Sequence, residues 1–96
     1  MLRILDTPTF RKVVKKLFAR DKKTVDEVIQ KIANNPLLGV EKKGDLAGVF
    51  VFKFKMNKQE VLLSYGLRPN KENPVELVLL SIGSHENFYD VIKRQM

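Results

Sequence analysis

A chain of 96 residues with 44% hydrophobic and 30% charged residues has the composition of a single small globular domain, residues 1–96, with room for one core and no more. The absence of cysteine excludes a disulfide framework, a thiolate metal site and a cysteine nucleophile. Eighteen Lys and Arg against eleven Asp and Glu leave a net charge of +7 and a pI near 9.8, a balance that favours polyanionic partners such as nucleic acid, an acidic protein or the ribosome.

No segment approaches the roughly 18 continuous apolar residues of a membrane span, and MLRILDTPTF lacks the layout of a secretion leader. A cytoplasmic protein with no membrane partner is expected. In chain order, LRIL at 2–5 reads as a short strand, broken by Asp6, Thr7 and Pro8, which supply helix-start chemistry. Phe10, Val13, Val14, Leu17 and Phe18 then follow at the spacing of an amphipathic helix, with Arg11, Lys12, Lys15 and Lys16 on its other face. Val25, Val28, Ile29, Ile32 and Ala33 predict a second helix. Thr24 and Glu27 fit a capping box at its start, and Asn34, Asn35 and Pro36 end it. The short connection makes the pair a helical hairpin.

After a loop over 36–48 the period changes to two. In VFVFKFKM, residues 49–56, Phe50, Phe52, Phe54 and Met56 alternate with Val49, Val51, Lys53 and Lys55, the pattern of a strand. Asn57 and Lys58 predict a tight turn into a second strand, EVLLSYGL. A loop over 68–74 leads to a third, PVELVLLSIG, apolar enough on both faces to lie centrally. Ser84 is an N-cap candidate for a last short helix, with Glu86 near its positive end. The expected fold is α+β, in the order β-α-α-β-β-β-α. A helical hairpin covers one face of a small, mostly antiparallel sheet, and the other face is at least partly open.

The closing stretch GSHENFYDVIKR holds the only histidine, His85, and one of two tyrosines, Tyr89. Four residues apart on a helix, they share a face, beside the apolar stripe of Phe88 and Ile92. As residues alone they fit a cap and a packing aromatic as well as an acid–base pair. Lys53 and Lys55 share one strand face, and fit a solvated strand end as well as a cationic floor for phosphates. The glycines at 39, 44 and 48 lack phosphate-loop spacing, and with one His and no Cys neither a metal nor another cofactor is expected. One reaction matches this inventory. RNA cleavage by its own 2′-hydroxyl needs a base, a proton donor for the leaving oxygen and cations around the phosphorus, with no metal and no protein nucleophile.

Four pieces, in this order and over nearly the whole length, carry a family resemblance. They are the basic helical hairpin, NPLLG, KKGDLAGVFVFKFKMNKQEVLLSY and LVLLSIGSHENFYDVIKR. The chain resembles the RelE/ParE superfamily of toxins from bacterial type II toxin–antitoxin systems, in its RelE/YafQ-like branch. The resemblance implies a ribosome-dependent endonuclease that cuts mRNA in the A site and so inhibits translation. It also implies a cognate antitoxin that blocks the toxin within a toxin–antitoxin hetero-oligomer. By position, His85 matches the branch's histidine, a general base or acid, and Tyr89 its C-terminal aromatic. FKFK at 52–55 is similar to the family's aromatic-Lys-x-Lys strand, which makes Lys53 and Lys55 transition-state cations. Lys58, Arg68, Lys93 and Arg94 are the further candidates for RNA contact. The strand EVLLSY departs from the pattern, having no arginine where RelE-like nucleases place one, and SHEN replaces the arginines at the start of the last helix. Arg68 is expected beyond the strand. A ParE-type toxin that poisons DNA gyrase by binding, without catalysis, is the alternative from another class; it shares the fold but has no need of a His–Tyr–Lys constellation.

Overall fold

The computed structural model describes residues 2–84, and its first contacts are those of a strand and a helix cap. Strand β1, Arg3–Asp6, runs into Thr7, whose hydroxyl accepts from the Phe10 N–H at 3.3 Å and donates to the Leu80 carbonyl at 2.8 Å. Pro8 then opens helix α1, Pro8–Lys15, as its fixed φ and missing N–H favour. Thr7 thus caps a helix and ties it to the sheet at once.

Helix α1 is shorter than its apolar spacing predicts. It stops at Lys15, and Phe18, expected on its buried stripe, has extended backbone and is 78% exposed. The chain reverses within Lys16–Phe18, so the periodicity ends before Phe18 can turn inward. Helix α2, Ala19–Asn34, starts five residues ahead of the expected capping box. Thr24 lies inside it, its hydroxyl donating to the Arg20 carbonyl at 3.4 Å. The early turn is held by Asp21, a buried carboxylate that accepts from the Asn57 side-chain amide at 3.0 Å. Asn35 closes the helix as anticipated.

The segment expected as a loop over 36–48 contains two short elements, strand β2, Val40–Glu41, and a 3₁₀ turn over Gly44–Leu46. Strands β3, Phe50–Met56, and β4, Gln59–Arg68, meet at Asn57 and Lys58, which have φ of 55° and 65°. Two successive left-handed residues make the two-residue turn whose twist suits a hairpin. Arg68 is the last residue of β4, not a loop residue beyond it. Strand β5 is Glu76–Ser84; the helix expected after Ser84 lies outside the described residues.

The five strands form one mixed sheet in the order β1-β5-β4-β3-β2, antiparallel except where β1 lies parallel to β5. Phe50, Leu63, Tyr65, Leu77, Leu79 and Ile82 face the helices and pack with Phe10, Val25, Val28, Ile29 and Ile32. The opposite face is divided. At one end Leu46, Val49, Val51 and Leu62 make a second small apolar cluster, with Leu80 against it; at the other end Lys53 and Lys55 are exposed. The open face therefore exists over part of the sheet only. Among the described residues no helix is long and apolar enough to cross a membrane.

Candidate nucleic-acid interface

Strand alternation builds the core of the site. Phe52 and Phe54 turn toward the helices with their rings 6.2 Å apart, and this sends Lys53 and Lys55 out on the other face. Residues two apart on a strand are about 7 Å apart, so both ammonium groups can address one phosphate or two adjacent ones. Neither lysine forms a salt bridge among the described residues. Across the ladder Lys55 faces Glu60 and Lys53 faces Leu62, which is almost fully buried. Leu62 in turn pairs with Gly83 on β5. The rung beside Lys53 is therefore apolar, as the arginine-free strand predicts.

A groove of about 450 Å³ opens next to Lys53, lined by Leu38, Val40, Lys42, Val51 and Leu62. Its outer wall is the segment after α2, and that wall is held by a residue that sequence reasoning missed. Tyr65 is fully buried, stacked on Phe50 with ring centroids 5.4 Å apart. Its hydroxyl donates to the Pro36 carbonyl and accepts from the Gly39 N–H, both at 2.8 Å. Gly39 is required there, because a Cβ would lie 2.9 Å from the tyrosine oxygen. Burial pushes the Tyr65 phenol above its usual value, with the Gly39 N–H working against the shift, so the neutral form that donates to Pro36 is favoured. A tyrosine on the helix-facing register of EVLLSYGL was the available signal, since a buried hydroxyl needs partners.

A second missed device fixes the tip of the β3–β4 hairpin. Arg20 donates to the Asn57 side-chain oxygen at 3.2 Å while the Asn57 amide donates to Asp21. The start of α2 is thereby clamped to the turn carrying Lys58. No sequence signal marks this contact, which spans 36 residues between Asp21 and Asn57.

The structure gathers Lys53 and Lys55 on one face and puts Lys58 at the nearer turn. It separates Arg68 from them: six residues along β4 from Leu62 is about 20 Å. Arg68 faces a different shallow depression, with Pro69, Val75 and Glu76. His85, Tyr89, Lys93 and Arg94 lie outside the described residues. Among the described residues no three acidic or histidine side chains cluster as metal ligands.

Residues 4–93 match a family profile described as a ParE-like toxin of a type II bacterial toxin–antitoxin system. Curated protein sequences give no match. Among solved structures, the Escherichia coli RelBE toxin–antitoxin complex aligns with a TM-score of 0.68 at 16% identity, over 90% of this chain and 99% of the other. The RelBE2 toxin–antitoxin complex of Mycobacterium tuberculosis aligns with a TM-score of 0.70 at 23% identity, over 88% and 98%. The isolated E. coli RelE toxin aligns over the whole of both chains, with a TM-score of 0.65 at 15% identity. At these identities the structural matches establish the fold that the element order predicts.

Proposed function

The chain belongs to the ParE-like toxins of type II bacterial toxin–antitoxin systems, and from that membership we propose that it is a ribosome-dependent mRNA endonuclease. The observation that carries this reading is the pair Lys53 and Lys55, exposed together on a sheet face that is apolar up to Val51 and Leu62. Packing explains the apolar part and does not call for the lysines. Cations at that place suit a phosphodiester whose charge grows during reaction. Gly83, two strands across from Lys53 on the same face, leads through Ser84 directly into the segment that carries His85 and Tyr89.

In the proposed reaction, a base takes the proton of a 2′-hydroxyl and the 2′-oxygen attacks the adjacent phosphorus. The bond to the 5′-oxygen breaks, that oxygen gains a proton, and a 2′,3′-cyclic phosphate and a 5′-hydroxyl remain. His85 serves as one of the two proton-transfer groups, Tyr89 orients or stacks on a nucleotide, and Lys53 and Lys55 balance the charge on the phosphorus oxygens. Lys58, Lys93 and Arg94 contribute RNA contacts. Arg68 contacts RNA away from the reacting phosphate, given its place at the far end of β4. The cognate antitoxin would present an acidic segment that neutralises the same face, in line with the antitoxin complexes of the structural relatives.

Primer extension on mRNA in programmed ribosomes tests the proposal. Wild-type protein should give a defined A-site cut, and His85→Ala should lower its rate by roughly 10²–10⁴-fold. A family profile described as ParE-like favours the second reading, a gyrase poison acting by binding alone. Folded protein that leaves mRNA intact and inhibits gyrase supercoiling would replace the first reading with the second.

A further inference from the structure

Phe18 occupies the N-cap of α2, where its carbonyl accepts from the Asp21 and Lys22 N–H groups at 3.0 Å each. Its side chain does nothing for the cap, and the ring is 78% exposed. Ser, Thr, Asp or Asn at this position would bond a free N–H and stabilise the helix. The chain carries a bare aromatic where the fold would be better served by a small polar residue, and a ring held in water against stability points to a ligand.

The surroundings identify that ligand. Lys15, Lys16, Arg20, Lys22 and Lys23 all lie within five residues of Phe18, and all are exposed. The one acid in this stretch, Asp21, is buried, accepts from Asn57 and pairs with the Arg20 Nε at 3.7 Å, which leaves the lysines as the free cations among its described residues. The four lysines form no salt bridge among the described residues. The next most exposed large apolar residue of the hairpin is Val13, at 36%, so the ring is not part of the broad apolar patch that anchors a protein partner. A single ring among cations is the arrangement that stacks a nucleobase while neutralising the flanking phosphates. An unpaired base is required, because a duplex keeps its base faces covered. The Arg20–Asn57 bond then joins this tip to the turn bearing Lys58, and β3 continues from there to Lys55 and Lys53.

We propose that the α1–α2 tip is a second RNA contact, in which Phe18 stacks on an unpaired base and the flanking lysines and Arg20 hold the adjoining phosphates of a single-stranded segment. The inference shares with the proposed function the premise of an RNA partner, but places a contact where no reacting group is needed.

The test is fluorescence anisotropy with a labelled, fully 2′-O-methylated single-stranded RNA, which cannot be cleaved by 2′-hydroxyl attack. Phe18→Ser should weaken binding by roughly tenfold to a hundredfold, the range of one lost stacking contact. The same variant should unfold at an equal or higher temperature, since serine can cap α2. Phe18→Tyr should restore binding, and duplex RNA should not distinguish wild type from Phe18→Ser. Binding of single-stranded RNA by Phe18→Ser within twofold of wild type would overturn the proposal. So would an equal loss on duplex RNA, or a loss confined to polyglutamate, which would assign the ring to an acidic protein. Lys53→Gln in the same series separates the two sites. Weakened binding there with Phe18→Ser unchanged removes the tip and leaves the sheet face standing; the reverse result removes the sheet face as an RNA contact.

Discussion

The two faces of β3 obey the same alternation and end in different chemistry. On the helix side Phe50, Phe52, Phe54 and Met56 are apolar throughout and join the main core. On the other side Val49 and Val51 pack under Leu46, and the next two positions are Lys53 and Lys55. The first face is accounted for by burial at every step. The second is accounted for only up to Val51, and the change from valine to lysine marks where folding ceases to dictate the residue. Function is best sought at such a boundary.

Substitutions on the helix side should cost stability and little else. Leu63→Ala removes a fully buried side chain at the centre of the sheet, and the lost burial plus the cavity should lower unfolding free energy by about 2–5 kcal/mol in urea titration. A loss below 1 kcal/mol would mean that this face is not the packed core described here. Gly39→Ala should cost about 1–3 kcal/mol, because its Cβ must displace the Tyr65 hydroxyl or the Val51 carbonyl, 3.0 Å away. This substitution should also disturb the groove beside Lys53, since Gly39 sits between Leu38 and Val40, which line it. Gly39→Ala therefore tests whether the two sides of the sheet are mechanically linked.

Tyr65→Phe is a gentler probe of that link. It leaves the Phe50 stack in place but strands the Pro36 carbonyl and the Gly39 N–H, for a loss of about 1–3 kcal/mol. Its pH dependence has a definite sign. The folded-state phenol is raised above the ordinary 10.0, so its contribution is complete below about pH 10 and fades as pH climbs through the higher folded value. Wild-type stability should fall in that alkaline window more steeply than that of Tyr65→Phe. Parallel curves would show that the buried phenol does not titrate differently on folding.

What the sequence made legible follows the range of the interactions. Thr7–Pro8, the Asn57–Lys58 turn, the end of α2 and the shared face of Lys53 and Lys55 depend on neighbours a few residues away, and all were readable. The start of α2 was not, because Asp21 is made a favourable first-turn residue by Asn57, far along the chain. Strand β2 is two residues long and exists only through its pairing of Val40 and Glu41 with Val51 and Phe50. The distance of Arg68 from Lys53 follows from β4 continuing past the bulge at Ser64 and Tyr65, where Leu80 is the extra residue on β5. A family pattern could nominate Arg68 as an RNA contact, but only register could place it away from the lysines.

The lysine side of β3 should show the opposite profile from the core side, and it offers the finest measurement. Lys53→Gln and Lys55→Gln remove the charge at exposed positions and shorten the side chain by one atom, so thermal stability should hardly move. Affinity for single-stranded RNA should fall, and the slope of log affinity against log salt should flatten by about 0.7 for each phosphate contact removed. A double variant that flattens the slope by about twice that of either single variant would mean that the lysines neutralise separate phosphates. A double variant no flatter than one single variant would put both ammonium groups on the same phosphate, the geometry expected if that phosphate is the one that reacts. An unchanged slope in all three would return Lys53 and Lys55 to the status of solvated strand residues, and the boundary after Val51 would mark only the end of the core.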